Sequence, residues 1–168
     1  MKSPTIKKTV LAGLFAAVIM VATLISIPLP TGGYANLGDC FVLLAGVILG
    51  PFYGGLAAGV GAGLADLFLG YATYAPVTFV IKAAMAVVIW LLAGRGSDKL
   101  RILRFSLSAL LSECIMVVGY LVYELFLYGA GAFANIPGNA VQGVVAIISG
   151  VLVFITLYKT RLIDKMKK

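Results

Sequence analysis

The sequence predicts an all-α integral membrane protein of six transmembrane helices with both termini cytoplasmic. Three observations predict it. Of 168 residues, 62% are hydrophobic and 11% charged, where soluble domains carry about 25% charged. Apolar stretches approaching the roughly 20 residues needed for a span recur along the whole chain. The basic residues sit in three places. Lys2, Lys7 and Lys8 precede the first stretch, Arg95, Lys99, Arg101 and Arg104 share one loop, and Lys159, Arg161, Lys165, Lys167 and Lys168 form the tail. Putting all three on the cytoplasmic side meets the positive-inside rule with an even number of spans. The net charge of +7 is thus an orientation signal and gives no reason to invoke nucleic acid. The length suits one transmembrane bundle, residues 1–168, in the plasma membrane, without a soluble domain.

The first helix covers about residues 5–27. It follows a Lys-rich start, as a secretory signal would, but it is long for one and ends in Pro28-Leu29-Pro30 without a small-x-small site. Prolines and glycines then make an outer loop to Asn36. The second helix, 38–49, is too short to cross a ~30 Å core squarely, and Gly50–Gly55 turns the chain inside. The third, 55–69, carries Gly55, Gly59 and Gly63 on one face, which admits a close neighbour, with Asp66 near that face. After an outer loop at 70–75, the fourth helix runs 76–93 with proline in its first turn, where a missing N–H does no harm. Tyr74, Thr78 and Lys82 follow at four-residue steps and share a stripe. The fifth, 102–127, sets Glu113, Tyr120 and Glu124 within a narrow arc. Gly129–Gly131 make the last outer loop. The sixth helix, 137–158, has Asn139 and Gln142 one turn apart near its outer end. Cys40 and Cys114 are too few for a disulfide framework and are expected to be small buried apolar residues.

Ionisable groups within apolar segments are expensive unless paired, protonated or hydrated, so Asp39, Asp66, Lys82, Glu113 and Glu124 are the first candidates for function. Asn36, Asp39, Tyr74, Thr78, Tyr120, Glu124, Asn135, Asn139 and Gln142 all fall in the outer half of this topology. A polar pocket open to the outside accounts for them economically. The amides of Asn139 and Gln142 suit a hydroxylated heteroaromatic ring, and Tyr74, Tyr120 and Trp90 are candidates to stack on it. The plainer reading pairs Lys82 with one acid, caps the second helix with Asp39 and hydrates Glu124 at the interface. With no histidine and no phosphate-binding glycine loop followed by Lys-Ser/Thr, the sequence offers no metal site, cofactor or ATPase of its own. An intramembrane enzyme and a ligand-free scaffold remain the rival classes.

Certain residues also carry a family likeness. Pro28-Leu29-Pro30, Gly32-Gly33-Tyr34, Asn36-Leu37-Gly38-Asp39, Ala65-Asp66-Leu67, Gly70-Tyr71, Pro76 and Ile81-Lys82 resemble the S components of energy-coupling factor (ECF) vitamin transporters. More closely, they resemble the riboflavin-named subgroup that also holds vitamin B6 and hydroxymethylpyrimidine binders. The resemblance covers the first four helices by motif and the last two by length and placement. It implies a six-helix subunit that binds a vitamin from outside and docks on a transmembrane coupling subunit driven by two cytoplasmic ATPases. It implies a docking face on the first helix, matched here by Ala12 and Ala16, and a ligand lid formed by the loop 28–37. The expected ligand is a B6 vitamer such as pyridoxine or pyridoxamine, with hydroxymethylpyrimidine and riboflavin as alternatives. The expected ligand residues are Tyr34, Asn36, Asp39, Tyr74, Thr78, Lys82, Tyr120, Glu124, Asn139 and Gln142. Lys82 has two open roles: a structural ion pair, with Asp66 as first partner and Glu113 as second, or a contact to the ligand.

Overall fold

Helix ends fall where the sequence supplies a break, and the most consequential break is a single residue. The computed structural model describes residues 4–30, 34–93 and 100–160. Lys2, Gly32, Gly33, Arg95, Lys99, Arg161, Lys165, Lys167 and Lys168, which enter the sequence argument, lie outside the described residues. The order is α1 (Pro4–Leu24), β1 (Ser26–Pro28), β2 (Tyr34–Asn36), α2 (Asp39–Phe68), α3 (Ala75–Ala93), α4 (Arg101–Tyr128), a 3₁₀ turn (Gly129–Asn135) and α5 (Ile136–Lys159). α1, α2, α3 and the run that holds α4 and α5 are apolar and long enough to cross a membrane.

α1 stops three residues short of the predicted end because Ser26, Ile27 and Pro28 pair antiparallel with Asn36, Ala35 and Tyr34. Isoleucine favours an extended backbone, and Pro28 cannot continue a helix. The predicted lid loop is therefore a short β ribbon, which an all-α reading misses.

α2 reverses direction. The sequence suggests a turn across 50–55, but only Gly50 leaves helical geometry, at φ 87° and ψ −178°. A residue with a Cβ is strained there. Pro51 begins the second arm, at the position where its missing N–H is harmless. The arms fold back on each other so closely that a Cβ added to Gly54 would lie 2.6 Å from the Ala45 carbonyl oxygen. The first arm, 39–49, is only about 16 Å long at 1.5 Å per residue, as short as its sequence suggests.

The predicted glycine stripe of the second arm meets α3: Gly55 faces Ala83, Gly59 faces Phe79 and Gly63 faces Ala75. Gly61, on another side of that arm, meets Ile19 and the backbone of Ala16 on α1. α4 packs on α3, and α5 packs on both α4 and α2, which closes the bundle.

The bundle is apolar outside and polar inside. Val10, Val21, Phe68, Val80, Phe126 and Leu152 are exposed, whereas Asp39, Asp66, Lys82, Glu113, Glu124, Asn139 and Gln142 are each no more than 3% exposed. That inversion suits a bilayer, which solvates hydrocarbon and leaves polar groups to satisfy one another. Glu124 is thus buried rather than hydrated at an interface. Cys40 is buried as expected, but Cys114 is exposed on α4, so one of the two cysteines does not fill the core.

The two ends differ in kind. Arg101 lies 5.2 Å from the ring of Tyr158, and Lys8, Gly50 and Trp90 line one groove. Those contacts gather the starts of α1 and α4, the α2 reversal and the close of α3 and α5 at a basic end. The ribbon, the 70–74 turn and the 3₁₀ turn lie at the other.

Candidate ligand pocket

The polar interior is built outward from Asp39. This residue opens α2, yet its side chain caps nothing; Gly38 holds the N-cap position. Asp39 Oδ1 instead receives Lys82 Nζ at 2.5 Å, and Asp39 Oδ2 receives Gln142 Nε2 at 2.5 Å. Gln142 Oε1 accepts the backbone N–H of Asn36 at 2.8 Å, and Asn36 Oδ1 accepts that of Gly38 at 2.8 Å. Lys82 Nζ also lies 5.4 Å from the ring centre of Tyr120, within reach of a cation–π attraction. One network thereby ties α2, α3, α5 and the ribbon together.

This corrects the expected pairing. Lys82 pairs with Asp39, not with Asp66 or Glu113. The Gly50 reversal brings both ends of α2 to the same end of the bundle, and the first arm, rather than the second, presents its carboxylate to the lysine.

Beside this network is a small cavity of about 20 Å³, lined by Leu29, Tyr34, Asn36, Asp66, Tyr74, Thr78, Tyr120, Glu124 and Asn139. Tyr34 donates to Asp66 Oδ1. Burial, with Asp66 beside it, raises the Tyr34 phenol well above its ordinary value, so the hydroxyl remains a donor. Tyr74 donates to Glu124 Oε1 at 3.3 Å, and burial, with Tyr128 and Glu124 adjacent, raises that phenol too. Thr78 and Tyr120 share a hydrogen bond of 3.1 Å. Each acid keeps one oxygen without a partner: Asp66 Oδ2 and Glu124 Oε2.

Of the predicted ligand residues, Tyr34, Asn36, Tyr74, Thr78, Tyr120, Glu124 and Asn139 meet at the cavity wall. Asp39, Lys82 and Gln142 are drawn together into the network behind it. Asp66, expected in the ion pair, lines the cavity instead. Glu113 is buried beside Gly143 on α5, with neither carboxyl oxygen hydrogen-bonded, and does not reach the wall. Trp90 lies at the basic end. Leu29 escapes sequence reasoning because an apolar loop residue carries no signal. In the structure it packs over Gly138 and closes the cavity from the ribbon side. Ala12 and Ala16 are half-buried against the core, and the small residues on the open face of α1 are Gly13 and Ala17.

The family model of the ECF-type riboflavin transporter S component matches residues 3–159. The chain belongs to this family. It is an S component, a multi-pass membrane subunit of a transporter rather than an enzyme, and S components imply a vitamin substrate and an energising module. A Pyrococcus woesei protein described as an uncharacterized protein in the gap 3′ region is 39% identical over 136 residues, covering 80% of this chain and 89% of its own. The fold is similar to that in a structure presented as the structure and mechanism of the S component of a bacterial ECF transporter. The TM-score is 0.69 at 24% identity, across 98% of this chain and 99% of that one.

The network predicts a specific rescue. Lys82→Met strands the Asp39 carboxylate and should destabilise the ligand-free protein by roughly 3–5 kcal/mol, the usual result of breaking a buried pair. Adding Asp39→Leu should recover much of that loss, whereas adding Asp66→Leu should recover none. Melting temperatures of the single and double variants in detergent decide between the two acids.

Proposed function

We propose that this S component binds a small one-ring vitamin from outside, most suitably a vitamin B6 vitamer, for ATP-driven uptake by an ECF module. The observation that carries this reading is the lining of the cavity, where two buried acids, two amides, a threonine and three tyrosines from separate elements meet around one small space. Three tyrosines offer ring faces, and Asn36, Asn139, Thr78, Asp66 and Glu124 offer hydrogen bonds. A pyridine bearing hydroxyl and hydroxymethyl or aminomethyl groups has that polarity on a single compact ring. Hydroxymethylpyrimidine shares them and is the close alternative. Riboflavin is favoured by the family's name, but its three rings and ribityl chain require the small cavity to widen far more than a single ring does. As a function test, the detergent-purified protein is melted with pyridoxine, pyridoxamine, hydroxymethylpyrimidine and riboflavin in turn. A cognate ligand at a hundred times its Kd stabilises by about 2.7 kcal/mol. A shift with a one-ring vitamin supports the proposal, a shift with riboflavin alone replaces it, and silence throughout favours a ligand-free scaffold.

The proposed topology counts the two arms of α2 separately, which makes six helical segments with both termini cytoplasmic in a single bundle over residues 1–168. Lys7, Lys8, Arg101, Arg104 and Lys159 then face the cytoplasm, as the positive-inside rule asks, and the cavity opens outward. In a background without Cys40 and Cys114, a cysteine at Gly131 should react with an impermeant thiol reagent on intact cells, and one at Ser97 should not. Equal labelling would undo the orientation.

Docking on the coupling subunit is proposed for the open face of α1. The predicted pair Ala12 and Ala16 faces the core in part, so the outward pair Gly13 and Ala17 suits close helix approach better. Gly13→Leu with Ala17→Leu should abolish uptake yet leave vitamin binding to the isolated subunit intact. Ala16→Leu, pressing on Gly61, should instead lower the melting temperature, as overpacking typically costs 1–3 kcal/mol.

A further inference from the structure

We infer that the pocket selects a ligand carrying a positive charge and N–H donors, an aminated ring rather than its hydroxylated counterpart, and that it excludes phosphorylated forms. This rests on the proposed one-ring vitamin and adds the charge that the vitamin must bring. Among the described residues, the cavity wall holds two acids and no base. Asp66 and Glu124 are each 2% exposed. Each has one oxygen held by a tyrosine hydroxyl and the other without a partner. An unsatisfied buried acceptor is costly, and a buried carboxylate without a counter-charge more so. Lys82 does not supply that charge, because its ammonium is committed to Asp39 at 2.5 Å, behind the wall.

The aromatic lining points the same way. Tyr34, Tyr74 and Tyr120 are on the wall, with the Tyr74 and Tyr120 ring centres 6.4 Å apart. Tyrosine faces attract cations, above all where water is excluded. Carboxylate oxygens and π faces together form the kind of surroundings that an ammonium or protonated heteroaromatic N–H prefers. A phosphate would meet two acids without a guanidinium or ammonium on the wall, a repulsion that provides specificity without further contacts.

The experiment is isothermal titration of the wild-type protein with matched pairs: pyridoxamine against pyridoxine, and hydroxymethylpyrimidine against the analogue with hydroxyl in place of its ring amine. Pyridoxamine phosphate is the fifth probe and riboflavin the sixth. The aminated member of whichever pair binds should bind roughly tenfold or more tightly, the scale of one hydrogen bond to a charged group, and the phosphate should not bind measurably. Glu124→Gln and Asp66→Asn should each erase most of that preference, the aminated member losing roughly tenfold more affinity than the hydroxylated one. Their ligand-free melting temperatures check that they fold, and if either fails to fold the wild-type pairs still decide. Equal affinities within a pair, a preference for the hydroxylated member or tight phosphate binding would overturn the inference and leave the one-ring reading standing. Binding of riboflavin alone, or of none of these compounds, would overturn both.

Discussion

The ion pair between Lys82 and Asp39 is the constraint on which the rest of the interior depends. In lipid, hydrocarbon faces give helices little reason to prefer one neighbour over another, because the acyl chains are as apolar as leucine. A buried ammonium is different: it has to find an anion and must be desolvated with it. Here the anion stands at the start of α2 and the ammonium in the middle of α3. Gln142 on α5 and Asn36 on the ribbon, 106 residues apart in sequence, complete the set through hydrogen bonds of 2.5 and 2.8 Å. Both carboxylate oxygens of Asp39 are thus satisfied, and four elements are held in register at one level of the bundle. Glycine contacts between α2 and α3 let the backbones come close, but small residues alone tolerate sliding. The network supplies what they lack.

That same economy shapes the cavity. Because Lys82 and Gln142 are consumed by Asp39, the acids on the wall have neutral partners, hydroxyls of Tyr34 and Thr78 beside Asp66 and the groups of Tyr74 and Asn135 beside Glu124. Tyrosine satisfies one oxygen of each and leaves the other open. A lysine on the wall would have paired with Asp66 internally, which is how an ion pair of purely structural purpose would be arranged. On the proposed reading, the two wall acids with an open oxygen, Asp66 and Glu124, serve the ligand, and Asp39 serves the scaffold. Sequence position does not separate the two classes, and partners alone do not either, since Glu113 has both carboxyl oxygens open and lies off the wall.

What the sequence reveals follows from how local each signal is. Hydropathy and the three basic clusters are legible because a span is a property of some twenty contiguous residues. The stripe Tyr74, Thr78 and Lys82 is legible because helical spacing alone puts it on one face, and all three are buried. The glycine stripe at 55, 59 and 63 is legible for the same reason. The partner of Lys82 is not, since Asp39 and Asp66 both end up near the pocket once the chain reverses at Gly50, and choosing between them takes the rotation of each arm about its axis. The ribbon is illegible because three-residue strands leave no periodicity to detect. On α1, Ala12 with Ala16 and Gly13 with Ala17 are both small pairs at the same spacing. One residue is a rotation of about 100°, and only the position of Gly61 against Ala16 tells which pair faces the core.

An S component has two tasks that make opposite demands on a helix surface. Sequestering a polar solute needs carboxylates, amides and phenols facing inward. Meeting another membrane subunit needs a smooth apolar face with small residues and nothing that must be desolvated. On the proposed assembly, the fold divides these among its helices. α1 contributes no residue to the cavity wall, and its open face, with Val10, Gly13, Leu14, Ala17 and Val21, is hydrocarbon throughout. The wall is supplied by the loop that carries the ribbon, by α2, α3, α4 and α5, and by the turn before α3. Close packing of α1 on the second arm of α2 at Gly61 sets the two surfaces one helix apart. On the proposed assembly, a change in the ligand can then be accommodated by wall residues without altering the docking face. The one-helix separation provides a physical basis for that independence.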